Sequence, residues 1–113
     1  MESLKIHTNF GEHLRTLREN AGLTLREVAS IINVDSSLLA KIERNQRPPT
    51  KLLIKNLASF FHTNERELLI EFLSDQIAYK ILDEEGDLNI LKVAEEKVSY
   101  LKTLQNGNDY DKK

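Results

Sequence analysis

Few side chains in this sequence are placed to do covalent chemistry. His7, His13 and His62 lack the spacing of a metal-binding set, no HExxH motif occurs, and no glycine-rich loop could cradle a phosphate. The absence of cysteine excludes thiolate ligands, thiol catalysis and disulfide staples. Asp83, Glu84 and Glu85 bring carboxylates together, but consecutive charges at a helix end read as solvated surface rather than as an acid/base pair. No catalytic residue, metal or cofactor is therefore expected. What remains is a run of hydrogen-bonding and cationic side chains between Thr24 and Lys51, and its chemistry is that of holding a polyanion.

The charge is distributed accordingly. Overall it is -2, but residues 1–62 carry nine Lys/Arg against six Asp/Glu and residues 63–113 carry seven against twelve, so a half at +3 precedes a half at -5. A surplus of +3 is too small for a protein that binds nucleic acid by phosphate neutralisation alone, so specific contacts are required. With 113 residues there is room for one small domain and an appendage. Apolar runs reach only three or four residues, too short to cross a bilayer, and no secretory signal is visible.

The elements that must position these side chains are helices. Asn9 precedes Phe10, Leu14, Leu17 and Ala21, one face of a first helix that Gly22 stops. Thr24 and Glu27 form a capping box for a short second helix with Leu25, Val28, Ala29 and Ile32 on its apolar side. Asn33 can take the left-handed conformation of a sharp turn, Val34 points inward, and Asp35 caps a third helix that buries Leu38, Leu39 and Ile42. After the loop of Pro48 and Pro49, Thr50 caps a fourth helix with Ile54, Leu57, Ala58 and Phe61 inward. Leu53 and Phe60 lie off that stripe and face a partner. Asn64 and Glu67 open a fifth helix running to about Glu85, where Gly86 ends it. Asp87 opens a sixth with Ile90, Ala94, Val98, Leu101 and Leu104 along one side. Residues 106–113 read as disordered.

Two short helices around a tight turn, the second lightly polar on its outer side, make a helix-turn-helix. A helix that enters a major groove about 12 Å wide must expose short or polar side chains near its N-terminus. Ser36, Ser37 and Lys41 are the outward positions: serine can bond several base edges, Lys41 can reach guanine O6 or N7, and Ala40 can touch a thymine methyl. Ser36 and Ser37 would equally suit a helix start beside Asp35. Phosphate donors should flank this helix, and Thr24, Arg44, Asn45, Arg47, Thr50 and Lys51 do so in sequence; each cation taken singly could equally be an ordinary surface charge.

Phe10-Gly11-Glu12-His13-Leu14-Arg15-Thr16-Leu17-Arg18, Leu23-Thr24-Leu25-Arg26-Glu27-Val28-Ala29, Leu39-Ala40-Lys41-Ile42-Glu43-Arg44 and Arg47-Pro48-Pro49-Thr50 occur in that order. Together they resemble the phage repressor/Cro-type (XRE) DNA-binding domain over about residues 8 to 70. The resemblance implies an all-α fold, a five-helix lambda-repressor-like domain with a C-terminal helical extension. It makes Ser36, Ser37 and Lys41 base-contacting, and pairs Arg18 with Glu43 as an ion pair joining the first and third helices. The family usually has Gln where Leu25 stands, contacting a phosphate; Arg26 is the candidate substitute.

The expected organisation is an N-terminal arm at 1–8, a DNA-binding domain at 9–70, a dimerisation extension at 71–105 sharing the fifth helix, and the tail. Two amphipathic helices beyond the minimal domain need cover, and a second copy supplies it through Leu53, Phe60, Phe72, Ile77, Ile81, Val98 and Leu101. Fold-back onto the same domain, leaving a monomer, is the alternative arrangement. The function expected is a dimeric, sequence-specific transcriptional regulator, a repressor on a palindromic operator of double-stranded DNA, in the bacterial cytoplasm at the nucleoid. The alternative is a protein-interaction adaptor or antitoxin-like module whose C-terminal helices bind a protein partner.

Overall fold

The structure is a computed structural model that describes residues 9–111, with side chains described through Asn106. The expected arm at 1–8 lies outside the described residues. Six helices and no strand occur among them: α1 (Phe10–Asn20), α2 (Leu25–Ile31), α3 (Ser36–Glu43), α4 (Lys51–Phe61), α5 (Glu65–Asp83) and α6 (Asn89–Asp111). The chain is an all-α helix-turn-helix domain with a C-terminal helical extension.

Local chemistry sets the helix boundaries. Asn9, Thr24, Thr50 and Asn64 each accept, through a side-chain oxygen, the backbone N–H three residues on, and at Thr24 the Glu27 carboxylate closes the reciprocal bond. The corners use left-handed residues: Gly22, Asn33, Asn45, His62 and Glu85 all have φ between 54° and 72°. At the last corner the left-handed residue is Glu85, and Gly86, expected to end the fifth helix, follows it. A Cβ on Gly86 would meet only the tip of the Ile90 side chain, which can turn aside, and would make ordinary contact with Ile81.

The chain divides into two compact units, residues 1–76 and 77–113. In the first, Phe10, Leu14, Val28, Ala29, Leu39, Ile42, Leu53, Ile54, Leu57, Ala58 and Leu68 form one buried core drawn from all five of its helices. Each large side chain fully withdrawn from water there stabilises by about 1.5–3 kcal/mol. Leu53 is 6% exposed and belongs to this core, so it has no surface to offer a partner. It sits one position before Ile54 on α4 and joins the same core cluster.

The unit also extends past residue 70, because the part of α5 that follows grips α1. Phe72 meets Phe10 edge-on with ring centroids 5.9 Å apart, Asp75 Oδ2 accepts the Phe10 N–H at 2.6 Å, and Glu71 Oε1 lies 2.6 Å from His13 Nδ1.

In the second unit, Ile81 and Gly86 are the half-buried positions, and every described side chain of α6 is exposed. The α6 helix continues to Asp111, through the stretch expected to be disordered. Gly107 is a weak stop, costing only about 1 kcal/mol inside a helix, and no proline follows it.

Candidate nucleic-acid interface

The α2–α3 pair is built as a rigid corner. Asn33 adopts φ 60°, and Val34 N–H returns to the Ala29 carbonyl at 2.9 Å, turning the chain directly into α3. Leu39, Ile42 and Glu43 of α3 are buried against the core. The opposite side presents Ser37 and Lys41 exposed, with Ser36 and Ala40 half-buried beside them.

Two contacts fix α3 from behind. Arg18 Nε donates to Glu43 Oε2 at 2.7 Å and its Nη2 to Oε1 at 2.9 Å, while Nη1 holds the Leu23 carbonyl at 3.0 Å. With side chains only 12% and 6% exposed, this fork ties α1 to the end of α3. The Glu43 carboxylate beside it keeps the Arg18 guanidinium above its ordinary range despite burial. Gly11 is the second contact. A Cβ there would collide with the backbone carbonyls of Glu43 and Ile42, so only glycine lets α1 come this close to the end of α3.

At the N-terminus of α3 the structure departs from expectation. Asp35 makes no side-chain capping bond; its Oδ2 accepts the Ser37 hydroxyl at 2.5 Å instead. Ser37 thus has its one proton engaged and offers a base only lone pairs. The Ser36 hydroxyl and the uncapped backbone N–H groups remain donors at this tip, and Lys41 lies more than a turn further on. Sequence reasoning assigned Asp35 to capping because Asp at that position usually caps; nothing local distinguishes a carboxylate that turns to Ser37.

The flanking donors are arranged around this face. The Thr24 and Thr50 oxygens each accept a helix-capping N–H, which leaves each hydroxyl proton free to donate. Arg26, Arg44, Arg47 and Lys51 are exposed. Asn45 also serves the fold, since its Oδ1 accepts the Gly11 N–H at 3.3 Å and its backbone is left-handed at φ 60°. Leu25 is half-buried and packs on the core edge.

Sequence reasoning missed the grip of α5 on α1. Its members are 58 to 65 residues apart and carry no local signal. The Glu71 hydrogen bond raises the His13 pKa, against the opposing effect of burial, and burial raises that of Asp75. Phe72 is occupied by Phe10 in the same grip, which gives it an intrachain role in place of the partner contact expected of it. Phe60 is half-buried, edge-on to Phe61, and borders an open hollow of about 420 Å³ with Ile31 and Ile32. Ile77, Val98 and Leu101 are 51–53% exposed, and Ile81 is half-buried. No group of His, Cys, Asp or Glu suited to a metal, and no helix long and apolar enough to cross a membrane, occurs among the described residues.

A family model described as a helix-turn-helix domain matches residues 9–69. The HTH-type transcriptional regulator DdrOP3 of Deinococcus deserti is 33% identical over 69 residues, 59% of this chain and 54% of that protein. The chain thus spans about half the length of this curated relative. A solved structure of the restriction-modification controller protein C.AhdI from Aeromonas hydrophila is 36% identical, with a TM-score of 0.49 over 52% of this chain and 89% of that one.

Proposed function

This chain belongs to the helix-turn-helix domain family, and from that premise we propose that it is a sequence-specific DNA-binding regulator of transcription. It acts as a homodimer on a palindromic operator and represses by occluding polymerase. The observation that carries this reading is the orientation of α3, with Leu39, Ile42 and Glu43 held in the core and Ser36, Ser37, Ala40 and Lys41 left outward for base edges. Thr24, Arg26, Arg44, Asn45, Arg47, Thr50 and Lys51 position the helix on phosphates, and Arg18 with Glu43 sets its angle. The relative named as a transcriptional regulator agrees with this assignment.

The dimer is supported by the second unit. Leu91, Ala94, Val98 and Leu101 of α6 recur at three- and four-residue steps, and none is covered. A second copy placing Ile77, Ile81, Val98 and Leu101 against their equivalents would hide this face; Phe60 offers a further apolar edge on the first unit. Recognition helices so paired should stand about 34 Å apart. The same bare face also suits an adaptor whose partner is a different protein, and sedimentation at micromolar concentration separates the two readings: a monomer favours the adaptor.

The test of DNA reading is anisotropy-detected binding to the duplex upstream of the protein's own gene and to a random-sequence pool, across several salt concentrations. Roughly a thousandfold preference or more for a recovered sequence at physiological salt is expected. Equal, salt-sensitive binding to every duplex would remove the assignment.

A further inference from the structure

The uncovered apolar seam of α6 is bordered by two edges that differ in charge. Leu91, Ala94, Val98 and Leu101 make the seam, all of them exposed. Directly after a seam residue on one edge stand Glu95 and Lys102, seven residues apart. The other edge repeats at the same interval with Ile90, Lys97 and Leu104. We propose that α6 packs antiparallel against α6 of a second copy, with Glu95 of each copy facing Lys102 of the other.

The orientation follows from which edges meet. Two parallel helices bring opposite edges together, so Lys97 of each copy would face Lys102 of the other, twice by symmetry, and the Glu95 carboxylate would lie beside Ile90. Turning one helix end over end brings each edge against its own copy. Glu95 then meets Lys102, again twice, and Lys97 runs along Leu104, where its methylene stem covers apolar surface while the ammonium stays in water. Each exposed charge pair is weak alone, and opposed like charges cost a similar amount. Exchanging two repulsions for two attractions therefore decides between arrangements that bury the same seam.

The length of the helix agrees with this register. Facing Glu95 with Lys102 puts the two-fold axis beside Ser99 and Tyr100, close to the middle of α6, so nearly the whole of Asn89–Asp111 lies against the second copy. At about 1.5 Å per residue the starts of the two helices stand roughly 30 Å apart, whereas a parallel pair would hold them within about 10 Å. The first units are tethered at those starts, and the separation is on the scale of the roughly 34 Å between operator half-sites.

The inference rests on the homodimer reading, and its test keeps the two apart. The chain has no cysteine, so Lys92→Cys and Ser99→Cys each give the full-length protein one spin-labelling site per copy, both on the side of α6 away from the seam. Pulsed electron spin resonance should find the Lys92 labels roughly 10 Å farther apart than the Ser99 labels, since only Ser99 lies beside the two-fold axis. Equal distances at the two sites would overturn the antiparallel arrangement. In sedimentation equilibrium at low salt, Lys102→Glu should weaken dimerisation about tenfold, by opposing like charges at both ends of the seam. Combining it with Glu95→Lys should restore association to near the wild-type value, which separates lost pairing from lost folding. In a parallel pair Lys102→Glu would instead give Lys97 an opposite charge to meet, so tighter or unchanged dimerisation would also overturn the proposal. A wild-type chain that stays monomeric at micromolar concentration would overturn dimer and orientation alike; a dimer that fails the distance or the charge test would lose only the orientation.

Discussion

The two units of this chain are made from the same kind of helix and end in opposite conditions. In the first, apolar side chains from five helices meet in one core, and Phe10, Val28, Leu39 and Leu57 are at most 1% exposed. In the second, α6 repeats apolar residues just as regularly, yet Ile90, Val98, Leu101 and Leu104 stay 45–53% exposed. An amphipathic pattern states that a face wants cover; it does not state whether the cover lies in the same chain. The first unit buries its apolar faces within its own sequence, and the second leaves the described part of its apolar face exposed.

Disrupting the second unit should test that difference most severely. Val98→Asp with Leu101→Asp is expected to leave the urea midpoint of the first unit unchanged while operator affinity falls about 10²- to 10⁴-fold, the loss that accompanies independent binding of two half-sites. A matching fall in the stability of the first unit would mean that the two regions are not separate in kind.

Glu43→Ala strikes the first unit in turn. It leaves the Arg18 guanidinium buried without its partner and should cost about 3–5 kcal/mol of unfolding free energy, with α6 association unaffected in sedimentation. Gly11→Ala forces the α1 backbone off the carbonyls at the end of α3, and a loss of about 1–3 kcal/mol is expected by the same denaturation.

The smallest effect concerns the grip of α5 on α1. The folded pKa of His13 is raised above 6.5, so its contribution is fully present below pH 6.5 and is lost as pH rises through the folded value. The raised pKa of Asp75 has the same sign over a more acidic window above 3.8, because the carboxyl loses its proton less readily when folded. The urea midpoint should therefore fall as pH rises past neutrality, and His13→Asn should flatten that decline. A midpoint that climbs over the same range would contradict the pairing with Glu71.

Much of the first unit was legible because its determinants are local. Asn9, Thr24 and Thr50 announce helix starts through a bond to the third residue on, and Gly22, Asn33 and Asn45 announce corners through their tolerance of positive φ. Where two local solutions compete, the sequence misleads. Asp35 could cap α3 or take the Ser37 proton, and it takes the proton. Gly86 marks the end of α5, but the left-handed residue at that corner is Glu85. Leu53 reads as off the stripe, yet it lies in the same core as Ile54 and Leu57.

The grip of Glu71, Phe72 and Asp75 on the first turn of α1 bears on what counts as a module. The family match ends at residue 69, whereas the compact unit ends at 76. A chain cut at the family limit would keep every signature residue and lose all three of these contacts, freeing the Phe10 N–H and uncovering its ring. The portable segment is thus longer than the recognisable one: a graft, a protease-resistant fragment or a recombination boundary that preserves this unit should fall beyond residue 76.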